Sequence, residues 1–126
     1  MLDITQFNNI LDELHANSAE IEASAIITDD GMMMASHLPV AVNEERISAM
    51  SAALLSVSER MIETLLGNKS ERVIVQSKAG YVIVSATAKN LLLTVMACPS
   101  AKLGMVFHDI NKTSQSVQEL LNGQMA

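Results

Sequence analysis

Residues 43–66 read NEERISAMSAALLSVSERMIETLL, and the reading of this stretch decides the fold. Asn43 suits a helix N-cap, and Glu44 and Glu45 stand where the helix dipole favours negative charge. Gly67 follows at the position where helices commonly end in a left-handed residue. At about 100° per residue, Ile47, Met50, Leu54, Val57, Met61 and Leu65 form one apolar stripe. Leu55, Ile62 and Leu66 form a second stripe beside it. The combined arc spans roughly 180°, whereas a helix lying on a single core needs little more than about 100°. Ser48, Ser51 and Ser58 occupy the middle of the arc, and Ala49, Ala52 and Ala53 line one flank. Such a helix covers a sheet and retains a surface for a partner. Periodicity alone leaves open which stripe meets the sheet and which meets the partner.

Working outward from this helix, strand signals stand on both sides. Upstream, Ile4, Phe7, Ile10, Leu11 and Leu14 recur at helical spacing. Asp3 is placed to cap this first helix, with Gln6 at the reciprocal position. Residues 23–28 and 32–36 read as two strands joined by Asp29-Asp30-Gly31, a hairpin turn signal. Pro39 breaks the pattern before the long helix. Downstream, residues 72–76, 81–87 and 91–96 read as three strands with short turns at 78–80 and 88–90. Ser100 is the expected cap of a last helix whose apolar face is Leu103, Val106, Phe107, Ile110, Val117, Leu120 and Leu121, with fraying expected from Asn122. The order is α-β-β-α-β-β-β-α. Short turns within each strand group make the local pairings antiparallel, and the long helix carries the chain across the sheet between the groups. The expected result is an α/β fold, one five-stranded antiparallel sheet with helices on both faces.

Composition narrows the function. A chain of 126 residues is expected to form one domain, residues 1–126, with a real core. A net charge of −6 argues against nucleic acid, whose binding needs clustered Lys and Arg. Phe7, Phe107 and Tyr81 are too few aromatics for a base-stacking platform. No apolar run approaches the roughly 20 residues that span a membrane, so no membrane insertion is expected. The first residues show no basic region followed by an apolar run, and Cys98 is the only cysteine, so a cytoplasmic location is expected. The nine methionines fit a core with irregular gaps, or an adaptable binding surface.

Catalytic signals are weak. Leu66-Gly67-Asn68-Lys69-Ser70 resembles the end of a phosphate-binding loop, but the upstream glycine is missing and a helix stands where a strand is required. His15, His37 and His108 are each a conceivable general base, and Asp109 follows His108. A triad is recognised only by geometry, so His15 and His108 are expected on solvated helix faces and His37 in a loop. Asp29 and Asp30 are too few for a dedicated cation site. Nothing basic flanks Cys98 to activate it, so a buried small residue is expected there. The expectation is no enzyme, no cofactor and no metal.

Three segments resemble the Roadblock/dynein light-chain family. Residues 25–36, AIITDDGMMMAS, are similar to its first strand, Asp-Gly turn and returning strand. Arg72-Val73-Ile74-Val75, Tyr81-Val82-Ile83-Val84 and Leu91-Leu92-Leu93-Thr94-Val95 are similar to its three-strand meander. Ala101-Lys102-Leu103-Gly104-Met105-Val106 is similar to the opening of its last helix. The resemblance covers nearly the whole chain and lies in order and spacing. It departs at Glu20-Ile21-Glu22-Ala23, where the family often has glycine.

The resemblance implies a profilin-like (longin-like) sandwich with strand order 2-1-5-4-3. It also implies a homodimer in which strand 3 pairs with strand 3 and the second helices pack together. The residues agree: in that order 72–77 is an open edge, and Val73, Ile74 and Val75 carry no proline or inward lysine to block pairing. The expected dimer residues are Ile47, Met50, Ala53, Leu54, Val57, Met61, Arg72, Val73, Ile74 and Val75. By the same resemblance the chain is a non-enzymatic regulator or adaptor that binds a small Ras-like GTPase and modulates its nucleotide cycle. The GTPase would meet the polar arc of Glu45, Arg46, Glu59, Arg60 and Glu63. Arg46 and Arg60 suit a solubilising role better than that of an arginine finger, so any effect on hydrolysis would come from ordering the GTPase's own switch loops. The alternative is a structural light-chain or scaffold subunit that staples two copies of a larger protein.

Overall fold

The computed structural model describes residues 4–125. Its elements are α1 (Ile4–Asn17), β1 (Ile21–Thr28), β2 (Met33–His37), α2 (Glu44–Leu66), β3 (Arg72–Ser77), β4 (Gly80–Ala88), β5 (Leu91–Ala97) and α3 (Leu103–Met125). They form one five-stranded sheet in the order β2-β1-β5-β4-β3, every pairing antiparallel. Helices α1 and α3 lie on one face and α2 on the other. The expected architecture and strand order are therefore those of the molecule.

The ends of α2 follow from its caps. The Asn43 side chain accepts from the Arg46 N–H, and Gly67, at φ 61°, donates its N–H to the Glu63 carbonyl. The segment that resembles a phosphate-binding loop is thus a left-handed helix C-cap. Gly80 opens β4 at φ 142°, where an added Cβ would stand 2.4 Å from the Ala97 carbonyl oxygen. Only glycine fits that approach.

Several boundaries differ from the sequence expectation. Strand β1 starts at Ile21, two residues early, because Ile21 pairs with Ala97 and the Glu20 carbonyl accepts from the Cys98 N–H. Helix α3 starts at Leu103, and Ser100 does not cap it. The Lys102 carbonyl accepts from both Met105 and Val106, while the Lys102 N–H donates to the Glu20 carboxylate at 2.9 Å. At its other end α3 continues to Met125, and Ala126, the last residue of the segment expected to fray, lies outside the described residues. The Asp3 cap lies outside the described residues.

The two faces bury unequal cores. Between the sheet and the α1/α3 layer lie Phe7, Leu11, Leu14, Ile26, Ile83, Leu93, Val95, Val106, Ile110 and Val117, all buried. Under α2 the buried set shrinks to Ala25, Ile27, Leu55, Val84 and Leu92. Stability therefore rests mainly on the first face, since burial of apolar area is the dominant favourable contribution to folding. The second face is held lightly and leaves apolar surface uncovered. Among the described residues, no helix is long and apolar enough to cross a membrane.

Candidate functional site

The row of α2 that meets the sheet is mostly polar. Ser48, Ser51 and Leu55 are its buried residues. Thr94 of β5 donates its hydroxyl to the Ser51 hydroxyl at 2.8 Å. Ser58 donates to the Leu55 carbonyl at 2.8 Å and lies 3.0 Å from the Ser70 hydroxyl. Serines are short, so the helix backbone sits close to the sheet, and their hydroxyls are satisfied locally or across the seam. Leu55 is the single apolar anchor that is fully buried, with Ile62 half-buried further along. Leu66, expected on this row, is 71% exposed. Beyond Ser58 no residue of α2 other than Ile62 is even half-buried.

The long stripe is therefore the outward one. Met50, Val57, Met61 and Leu65 are all exposed, while Ile47 and Leu54 are half-buried. Ile47, Met50 and Leu54 form one wall of a groove of about 360 Å³, and Val75, Val82 and Met96 lie along the sheet opposite them. Val82 and Met96 were not identifiable from sequence as surface residues. They sit in apolar strand runs, and alternation cannot show that a helix covers only part of a sheet face.

The groove continues onto β3, the last strand of the sheet. Ile74 and Val75 are 43% and 45% exposed, on opposite faces of the edge. Val73 is half-buried and packs against the core under α2. Arg72 lies on the other face, its guanidinium 4.7 Å from the Phe107 ring centroid. Its Nη2 donates to the Asn111 side-chain oxygen at 2.9 Å, whereas Nη1 is buried with no acceptor.

Glu45, Arg46, Glu59, Arg60 and Glu63 project to solvent on the remaining arc of α2. Among the described residues none of the five is in an ion pair. Ala49 and Ala53 are exposed among the charged residues of this arc, and Ala52 is half-buried. All ten expected dimer residues thus lie on α2 or the β3 edge, and all are at least partly accessible.

The histidines depart from expectation. His15 is half-buried, with Nε2 2.7 Å from the Ser24 hydroxyl. Its ring stacks on that of His37, centroids 3.7 Å apart and planes 14° from parallel. His37 is the last residue of β2, not a loop residue, and its Nδ1 is 3.7 Å from an Asp12 carboxylate oxygen. Burial, and then the neighbouring His37, push the His15 imidazole below its ordinary value. His108 is exposed on α3, as expected. Cys98 is half-buried rather than buried, its Sγ 3.6 Å from the Ser100 hydroxyl. Among the described residues, no three His, Cys, Asp or Glu side chains converge to hold a metal ion.

The sequence profile of the Roadblock/LC7 domain matches residues 7–97. An uncharacterized protein of Methanocaldococcus jannaschii is 22% identical over 108 residues, 85% of this chain and 94% of that protein. Two solved structures share the fold. A Roadblock/LC7 domain from Streptomyces avermitilis superposes with a TM-score of 0.84 at 16% identity, over 90% of this chain and 96% of that one. Myxococcus xanthus MglB superposes with a TM-score of 0.87 at 14% identity, over 98% of this chain and 94% of that one.

Proposed function

The chain belongs to the Roadblock/LC7 domain family, and from that membership and the α2–β3 surface we propose a homodimeric, non-enzymatic regulator that binds a small Ras-like GTPase. In this proposal residues 1–126 act as a single domain and modulate the nucleotide cycle of the GTPase. One observation carries the reading: the outer stripe of α2 and the open edge of β3 form one continuous apolar surface. Exposed surface of this kind, bordered by charge, marks a protein-binding site. The groove beneath it is lined almost wholly by apolar side chains, and its two polar ones, Ser51 and Thr94, are hydrogen-bonded to each other, whereas a small-molecule site directs polar groups at its ligand.

In the dimer, Ile47, Met50, Ala53, Leu54, Val57 and Met61 face the same helix of the second copy. Arg72, Val73, Ile74 and Val75 form the strand contact. The two-fold axis brings two charged arcs to one side, where Glu45, Arg46, Glu59, Arg60 and Glu63 of both copies offer a mixed-charge platform. Charges that remain at a solvated rim set encounter rate and partner choice more than raw affinity.

The test is capture by the purified protein of small Ras-like GTPases loaded with GDP or with a non-hydrolysable GTP analogue. Capture in one nucleotide state, weakened by Arg46→Glu with Arg60→Glu, supports the proposal. Absence of binding in both states refutes it. Nucleotide-independent capture of a long helical chain would assign the scaffold role instead.

A further inference from the structure

The β3 edge fixes more than the presence of a partner. The Ala86 N–H donates to the Glu71 carbonyl at 3.2 Å, one step before the Arg72–Ser85 pair. In an antiparallel ladder only alternate pairs exchange hydrogen bonds. Val73, Val75 and Ser77 therefore direct their backbone groups at β4, and Arg72, Ile74 and Gln76 direct theirs to the open side. Three residues thus present an unpaired row of donors and acceptors, the usual template for strand addition.

Symmetry then restricts the partner. Two antiparallel copies of β3 are related by a two-fold axis normal to the sheet, and an isologous contact of this type closes as a dimer. Such an axis keeps each face on its own side, and directly opposite residues share a face. The axis must therefore pass through a residue, not between two. Centred on Val73 or Val75, two of the three outward residues find bonded partners within the strand. Centred on Ile74, all three do: Arg72 with Gln76, Ile74 with Ile74, and Gln76 with Arg72, about six hydrogen bonds.

Resting on the homodimer reading, we propose that β3 pairs with β3 of a second copy in a register centred on Ile74, placing Arg72 of each copy opposite Gln76 of the other. The side chains fit this register. Gln76 lies on the same face as Arg72 and carries an amide oxygen. Arg72 is the residue with an unpartnered buried Nη1. In this register the Gln76 side chain of the second copy stands directly opposite Arg72 and offers its amide oxygen as an acceptor to the guanidinium. On the opposite face Val73 stands against Val75 of the second copy, extending the apolar groove across the axis. Ile74, 43% exposed in the isolated chain, meets its own copy at the centre.

Cysteine cross-linking tests the register in a Cys98→Ser parent. Val73 and Val75 form a non-hydrogen-bonded pair across the axis, with Cα atoms about 4.5 Å apart, within the range a disulfide spans. Val73→Cys and Val75→Cys chains, co-expressed with different tags and oxidised mildly, are expected to yield the mixed disulfide, with little self-linking of either variant. Self-linking of Val75→Cys without the mixed product would move the axis to Val75 and overturn the proposal. A parent of dimer mass that gives no cross-link at either position would refute strand pairing while leaving the dimer intact. A parent with the mass of one chain would refute the homodimer itself. In the same background Gln76→Ala is expected to raise the dimer Kd by about a hundredfold or more, since a hydrogen bond to a charged group is lost in each copy. An unchanged Kd would remove Arg72 from the contact.

Discussion

Replacing Met50 by aspartate separates the two roles of α2. Met50 is 52% exposed and lines the groove, so the isolated fold owes it little. Full burial of a methionine side chain is worth about 1.5–3 kcal/mol, which leaves about 1 kcal/mol still to be gained in each copy. A two-fold interface counts that gain twice. An aspartate also brings a carboxylate that must leave water without a partner, at several kcal/mol when burial is complete. Taking about 1 kcal/mol per copy for a partly covered site, the interface loses about 4 kcal/mol, or about a thousandfold in dimer Kd. The isolated chain loses less than about 1 kcal/mol, the usual scale for a surface change within a helix. Sedimentation equilibrium over a dilution series reads the Kd, and far-ultraviolet circular dichroism reads the fold. The expected result is a folded monomer. A variant that stays dimeric at the parent's Kd would refute the assignment of this stripe, and one that loses its helix signal along with the dimer would show that Met50 supports the fold.

Ala53→Glu should weaken the dimer before it weakens the fold; a fully dimeric variant, read by gel filtration, would show that the α2 faces are misassigned. Gly80→Ala should cost several kcal/mol in urea unfolding or prevent folding, because its Cβ would collide with the Ala97 backbone oxygen; a cost under about 1 kcal/mol would contradict that packing. His15 is pushed below its ordinary value of 6.5, so between that value and its lower folded value the unfolded chain binds more protons. Stability should therefore hold above pH 6.5 and fall as pH drops below it; a His15→Gln variant should lose part of that dependence, and an unchanged pH profile would exclude His15 as its source.

Much of this was legible in the sequence because its signals are local. Asn43 and Gly67 bracket α2 by cap chemistry, and both act as caps in the structure. Turn glycines and apolar runs located the five strands to within a few residues. The serine row was visible too, but its meaning was not. Periodicity places Ser48, Ser51 and Ser58 at the centre of the apolar arc, yet only the partner atoms Thr94 and Ser70 show that the row faces the sheet. Non-local contacts account for the other departures. Ser100 was the better cap by residue type, but Glu20, 82 positions away, holds the Lys102 N–H and sets the helix start. His15 and His37 meet only because the end of α1 passes the end of β2. The unpartnered Arg72 Nη1 has no signature in the chain, since it is defined by what the surrounding fold fails to supply.

Closure of the α2–β3 surface by a second copy of the chain underlies both the proposed regulator and the strand register. Multi-angle light scattering of the purified protein at micromolar concentration tests it directly. The predicted mass is twice that of one chain, falling to a single chain for Met50→Asp. The mass of a single chain for the unmodified protein throughout the range would contradict it.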